Sequence, residues 1–348
     1  MRRDLIVIGA SAGGVEALSE LVGHLPQDLA AAVVLVLHTS PDHPSLLASI
    51  LGGKSTLPVH EAQAGQKLEP GTVYVAVPDR HLMIEGNRLR LTRGPRESRA
   101  RPSIDVLFRS AALARGPGTI GVVLTGALDD GTAGLWAIKD RGGVTVVQSP
   151  HEAAYPSMPQ SALRHVAVDH VVPVRDMGIL FTRLTTEELD VQLATPPEAL
   201  QIENRIARDG RALEEGSLEL GPPTLFTCPE CGGAMEKVQD GSSFMRLRCH
   251  TGHAYTLRSL LSDLDHSLDL TLWNVVRAIE ERLLLLRTLE SEAANIGGSP
   301  TQLRELRREI ADAKHRHSEL RRVLLDENTL GHDRAAGAAA DELNQPPA

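Results

Sequence analysis

Leu5-Ile6-Val7-Ile8-Gly9-Ala10-Ser11-Ala12-Gly13-Gly14-Val15-Glu16-Ala17-Leu18 runs from an apolar strand through a glycine-rich turn into a helix, and its reading decides the fold. An apolar run with no polar face belongs to a strand covered on both sides, the condition of a parallel sheet between helical layers. A serine at such a strand-to-helix turn is presented at a helix N-terminus, where backbone N–H groups favour negative charge, and this is a nucleophile's setting. A dinucleotide-binding turn is the competing reading. It asks for a middle glycine where Ser11 stands and for an acidic residue closing the next strand, whereas the run Ala32 to Leu37 closes on His38.

Outward from this turn, short β-branched runs alternate with helical segments through about residue 185. Strands are expected at 5–9, 32–37, 72–77, 119–125, 144–148 and 170–174, with helices near 14–23, 44–52, 103–115, 131–141, 157–166 and 176–190. The Glu-Gly-Asn-Arg centre of residues 81–93 marks a β-hairpin. The expected fold is therefore α/β: a doubly wound, mostly parallel sheet with an inserted hairpin, filling a catalytic domain over 1–190. Residues 191–224, with Pro-Pro pairs and little periodicity, read as a linker. A compact cysteine-containing module follows at 225–258, then an amphipathic helix and a charged one, broken by Gly-Gly-Ser-Pro at 297–300, forming a helical hairpin or coiled segment over 259–330. The Ala-rich end, 331–348, reads as a disordered tail.

A chain of 348 residues is long enough to bury a sizeable core, and with 3% aromatics that core rests on Val, Leu, Ile and Ala. The net charge of −9 argues against nucleic acid as a partner. No apolar run is long enough to span a bilayer, and Met1-Arg2-Arg3-Asp4 leads straight into a strand, so a cytoplasmic location and no membrane insertion are expected.

A serine hydroxyl needs a base, and the base a third group to fix its tautomer. In open α/β sheets such groups meet at the carboxyl ends of neighbouring strands. Ser11 follows the first strand, His38 ends the second, and Thr125-Gly126-Ala127-Leu128-Asp129-Asp130-Gly131 follows the strand at 119–125. Singly, Ser11 reads as a helix cap and Asp129 with Asp130 as an N-cap pair; jointly the three strand ends read as a catalytic constellation. The order Ser, His, Asp differs from that of the α/β-hydrolases.

These residues, with Arg101-Pro102-Ser103-Ile104-Asp105 and Met158-Pro159, resemble the catalytic domain of the chemotaxis protein-glutamate methylesterases, the CheB type, over roughly residues 4–185. The resemblance implies a serine hydrolase that removes methyl esters from glutamates of methyl-accepting chemoreceptors, releases methanol and extends to deamidation of glutamines. It assigns Ser11 as nucleophile, His38 as base and Asp130 as orienting acid, with Asp129 at a variable position. The N–H groups of Ala12 and Ala127 are candidates for the oxyanion hole, and no cofactor is expected for catalysis. The sequence departs from the family pattern at Ala12, Ala127 and Leu128, the last standing where the family has glycine. Most members carry a receiver domain ahead of the catalytic strand; here that strand lies at the start of the chain, so control by phosphorylation in cis is not expected.

Cys228-Pro229-Glu230-Cys231-Gly232-Gly233 and Cys249-His250-Thr251-Gly252-His253 form paired knuckles with zinc-ligand spacing. The expected ligands are Cys228, Cys231, Cys249 and His253, with His250 as the fallback, in a closed structural zinc site of ribbon type. Arg246, Arg248 and Arg258 lie near, but Glu230, Glu236 and Asp240 break up any basic patch, so protein docking is the expected role. Arg88, Arg90, Arg93, Arg96, Arg99 and Arg101 form an arginine-rich segment suited either to steering an acidic substrate helix or to a solvated hairpin edge. The rival reading of the whole chain is a catalytically weak scaffold that docks signalling-array proteins through its C-terminal module.

Overall fold

The computed structural model describes residues 1–39, 45–190, 195–239, 241–242 and 244–325. Among them the chain forms two compact units, Met1–Leu260 and the helical remainder from Leu261.

The first unit is built on β1 (Leu5–Ala10), β2 (Ala32–Leu37), β3 (Val59–Glu61), β4 (Val73–Val75), β7 (Thr119–Val123), β8 (Val144–Gln148) and β9 (His170–Val172), all paired in parallel in the order β3-β4-β2-β1-β7-β8-β9. β5 (His81–Glu85) and β6 (Arg88–Thr92) form the inserted antiparallel hairpin. Because side chains alternate along a strand, Ile6 and Ile8 enter one core, with Val33 and Leu35, while Leu5 and Val7 enter the other, with Val34 and Val36. The first core is closed by Leu18 and Leu21 of α1 (Gly14–Gly23), Leu51 of α2 (Leu47–Gly52) and Phe181 of α6 (Val174–Thr186). The second is closed by Leu107 and Phe108 of α3 (Ile104–Arg115), Ile138 of α4 (Thr132–Asp140) and Ala162 of α5 (Ser157–His165). Burial on both faces explains why these strands read as unbroken apolar runs. β3 was not expected; Val59-His60-Glu61 is a three-residue edge strand with a single apolar residue and no pattern to read.

Residues 191–224 are not a plain linker. They carry α7 (Glu198–Asp209), whose Leu200, Ile202, Ile206 and Ala207 are buried against the catalytic layer and neighbouring segments. Its inward face also carries Glu203, buried beside arginines, and this carboxylate in the middle of the stripe breaks the apolar period. Nor is the cysteine module a separate body. β10 (Pro223–Thr227), β11 (Ala234–Lys237), β12 (Arg246–Cys249) and β13 (Ala254–Thr256) form an antiparallel sheet that belongs to the first unit. Glu97 holds Arg109 of α3 at 2.6 Å and Arg248 at 2.9 Å, while Glu203 holds Arg246 and Arg248 at 2.7 Å, all of them buried. These pairs join the catalytic layer, α7 and the small sheet.

The first four residues of α8 (Leu257–Asn295) belong to the first unit; the rest lies in the helical unit and runs antiparallel to α9 (Pro300–Leu325), with Leu283 and Leu286 packed on Ile310 and Ala313 and ion pairs Arg282–Glu309 and Arg307–Glu290 beside them. No described helix is long and apolar enough to cross a membrane. The expected tail at 331–348 lies outside the described residues.

Candidate active site

β1 lies between β2 and β7, so the carboxyl ends of these three strands meet where the strand order reverses, the place where open α/β sheets bind ligands. After β1 the chain turns into α1 with Gly13 at φ +71° and the Gly14 N–H donating to Ser11 O at 2.9 Å. Glycine is favoured at position 13 because the left-handed conformation costs other residues about 1–2 kcal/mol. Gly126 is required for a different reason: a Cβ there would lie 2.0 Å from Met158 Sδ and 2.9 Å from Ser11 Cβ. The loop after β7 therefore lies directly against Ser11.

The structure brings Ser11, His38 and Asp130 together. His38 Nδ1 is 3.2 Å from Ser11 Oγ, and Nε2 is 2.7 Å from Asp130 Oδ2. With the proton on Nε2, shared with the carboxylate, Nδ1 offers its lone pair to the serine hydroxyl. Asp130 is held rigidly. Oδ2 accepts the Ile104 N–H at 2.8 Å, and Oδ1 accepts from Asp105 N at 3.1 Å, Ser103 Oγ at 3.1 Å and Gly131 N at 2.9 Å. Burial alone would raise this carboxyl, but His38 and the first amides of α3 hold it below the usual carboxylate range, so it stays ionised. Asp129, the neighbouring candidate, faces away to Thr256 Oγ1 at 3.0 Å, and burial pushes its carboxyl up to about 6. Asp105, packed beside Asp130 and buried, is raised well above the usual range by burial and by that charge.

Among the described residues, the N–H groups of Ala12 and Ala127 donate no hydrogen bond, which leaves both available to an oxyanion. Leu128, between Ala127 and the two aspartates, adopts φ +62°, a conformation suited to the glycine of the family pattern. A cleft of about 380 Å³ opens beside His38, lined by Thr39, Arg96, Ser98, Arg99 and Leu128 among others. Of the arginine-rich segment, Arg93 and Arg101 pair with Asp79 and Arg90 with Glu85, and Arg96, Arg99 and Arg101 line the cleft.

Some residues of this site escaped the sequence reading. His81, buried and kept neutral by its burial, meets Pro95 O at 2.9 Å through Nε2 and accepts the Ser103 N–H through Nδ1, fixing the segment that leads into α3. Thr125 Oγ1 donates to Ala12 O at 3.0 Å, tying the turn after β1 to the loop after β7. Only their placement gives these residues their roles, and no sequence signal marks it.

The second cluster is metal-like. The ligand atoms of Cys228, Cys231, Cys249 and His253 all lie within 4.8 Å of one another, with Cys231–Cys249, Cys228–His253 and Cys249–His253 separations of 3.6 Å. A tetrahedral zinc with thiolate bonds of about 2.3 Å and imidazole bonds of about 2.0 Å sets edges of roughly 3.5–3.8 Å, and these three separations match it. His250 is directed elsewhere, its ring against Gly233 where a Cβ would stand. Arg246 and Arg248 are consumed by buried pairs, so they offer nothing to nucleic acid.

A profile of the CheB methylesterase family matches residues 6–180. A Leptospira interrogans protein assigned as a protein-glutamate methylesterase/protein-glutamine glutaminase is 38% identical over 191 residues, covering 55% of this chain and 99% of that protein. A Methanosarcina mazei protein-glutamate methylesterase/protein-glutamine glutaminase is 39% identical over 184 residues, 51% of this chain and 50% of its own length. Among solved structures, the CheB methylesterase catalytic domain of Thermotoga maritima aligns over all of its chain and 53% of this one, with a TM-score of 0.51 and 30% identity.

Proposed function

Since the chain belongs to the CheB methylesterase family, we propose that it hydrolyses glutamate methyl esters on chemoreceptors and deamidates receptor glutamines, in the cytoplasm, with Ser11, His38 and Asp130 as its triad. The hydrogen-bonded chain Ser11–His38–Asp130, with contacts of 3.2 and 2.7 Å, carries this reading. Ser11 Oγ attacks the ester carbonyl carbon while His38 Nδ1 takes its proton. The Ala12 and Ala127 amides receive the oxyanion, worth roughly 3 kcal/mol per donor in comparable acyl transfers. The proton passes from His38 to the departing methoxide, which leaves as methanol, and water then cleaves the acyl-serine by the same route. Asp130, ionised through both steps, holds the Nε2 proton and stabilises the imidazolium.

The donor set at Cys228, Cys231, Cys249 and His253 supports a closed zinc site that holds the small sheet together and leaves no ligand position for chemistry. Contacts with signalling-array proteins are assigned to α8, where Leu264, Leu268 and Trp273 are exposed. A scaffold alone has no need of an aligned triad, and the alignment favours the esterase. Mass spectrometry of a methylated receptor fragment tests the reading: incubation with the protein converts methyl-glutamate to glutamate, whereas persistence of every methyl ester with folded protein refutes it.

A further inference from the structure

The small C-terminal sheet meets the catalytic layer at the two loops that flank His38. At the first, Ser98 N donates to Ala254 O at 2.7 Å and Ala254 N to Arg96 O at 3.3 Å, so β13 pairs with the segment that lines the cleft. At the second, Thr256 Oγ1 donates to Asp129 Oδ1 at 3.0 Å, with both residues buried. Asp129 lies in the loop that carries Ala127 and Asp130, and Leu128 in that loop holds φ +62°. A residue in that region keeps its conformation only where its surroundings over-determine it. Two clamps do so here: Ser157 Oγ donates to Leu128 O at 3.1 Å on one side, and Thr256 holds Asp129 on the other. Thr256 is itself fixed, since it exchanges bonds with Ser259 in the first turn of α8, Thr256 N to Ser259 Oγ at 2.9 Å and Ser259 N to Thr256 Oγ1 at 3.0 Å.

We infer that the C-terminal sheet is a working part of the active site, with Thr256 a positioning residue that acts through Asp129 to hold the Ala127 amide at the oxyanion. This rests on the esterase reading above. An amide that acts only on the oxyanion contributes to the transition state and not to substrate binding, so its misplacement lowers kcat and leaves KM in place.

The full-length protein is compared with Thr256→Val, Thr256→Ser, Asp129→Ala and the Thr256→Val/Asp129→Ala double variant. Thr256→Val lowers kcat about five- to tenfold, the net worth of one typical intramolecular hydrogen bond, with KM little changed. Thr256→Ser restores most of it, and Thr256→Val costs nothing more once Asp129 is alanine. Hydrogen exchange of the 127–131 amides accelerates in Thr256→Val and not in Thr256→Ser. Equal losses in the valine and serine variants, full additivity with Asp129→Ala, or unchanged exchange in Thr256→Val overturns the inference. A folded wild type that turns over no receptor fragment refutes the esterase reading instead, and the exchange arm still decides whether Thr256 holds the loop.

Discussion

Replacing Glu203 by alanine removes an acceptor of Arg246 Nη1 and Nη2, at 2.8 and 2.7 Å, and an acceptor of Arg248 Nη2, at 2.7 Å. Glu203 and Arg248 are each 1% exposed, so solvent cannot take over the lost contacts. Deleting one partner of a buried ion pair costs about 3–5 kcal/mol because the remaining charge stays desolvated. Against a total stability of about 5–15 kcal/mol this is a large fraction. For a unit of this size it lowers the melting temperature by roughly 10 °C. The assay is urea denaturation of the full chain followed by far-UV circular dichroism, with wild type and Glu203→Ala side by side. The effect also has a pH signature. Burial would raise the Glu203 carboxyl, but Arg246, Arg109 and Arg248 hold it well below the usual range. Its contribution is therefore full above the unfolded carboxyl's value, about 4.3, and is lost as pH falls through the lower folded value. The gap between wild type and variant stays constant from pH 8 to about 5 and closes only in strong acid. A loss below about 1 kcal/mol at pH 7 would refute the claim that these buried pairs weld the C-terminal sheet to the catalytic layer.

Asp129→Asn is more stable than wild type at pH 8, by up to about 3 kcal/mol, because a carboxyl at about 6 instead of 3.8 destabilises the ionised folded state. The gain fades as pH falls from 6 toward 4, and thermal melts at both ends check it; activity changes little, since asparagine still accepts from Thr256. Elemental analysis finds one zinc per chain, retained in His250→Ala and lost in Cys228→Ser, and a Cys228→Ser protein with full occupancy contradicts the ligand assignment. Truncation after residue 190 leaves Glu97 and Arg109 without Arg248 beside them, and the fragment melts well below the full chain; a fragment as stable as the whole would show that the small sheet contributes nothing to the catalytic layer's stability.

The parallel sheet was legible because its strands are buried on both faces, which leaves a run such as Ala32–Leu37 without a polar residue to confuse its reading. The meeting of Ser11, His38 and the 129–130 pair was legible for a related reason: strand ends are fixed by the strands, so these residues could be placed at one edge from order alone. Choosing Asp130 over Asp129 depended on the family resemblance; in the structure Asp130, not Asp129, meets His38, and it accepts the Ile104 and Asp105 amides that only the fold brings to it. α7 was hidden because Glu203 stands among its inward residues, and a buried carboxylate looks like a surface one until its arginine partners are known, here Arg246 and Arg248, more than forty residues away in sequence. The union of the cysteine module with the catalytic layer was hidden likewise. It rests on single contacts such as Thr256–Asp129, whose partners have no pattern in common.

The most direct measurement is methanol release from a methylated chemoreceptor fragment, followed for wild type, Ser11→Ala, His38→Ala and Asp130→Asn, singly and combined. The wild type releases methanol, each single variant loses most of that activity, and the combinations are hardly worse than the worst single variant, as for residues that act as one unit. Release by Ser11→Ala at the wild-type rate, or no release by a folded wild type, contradicts the account.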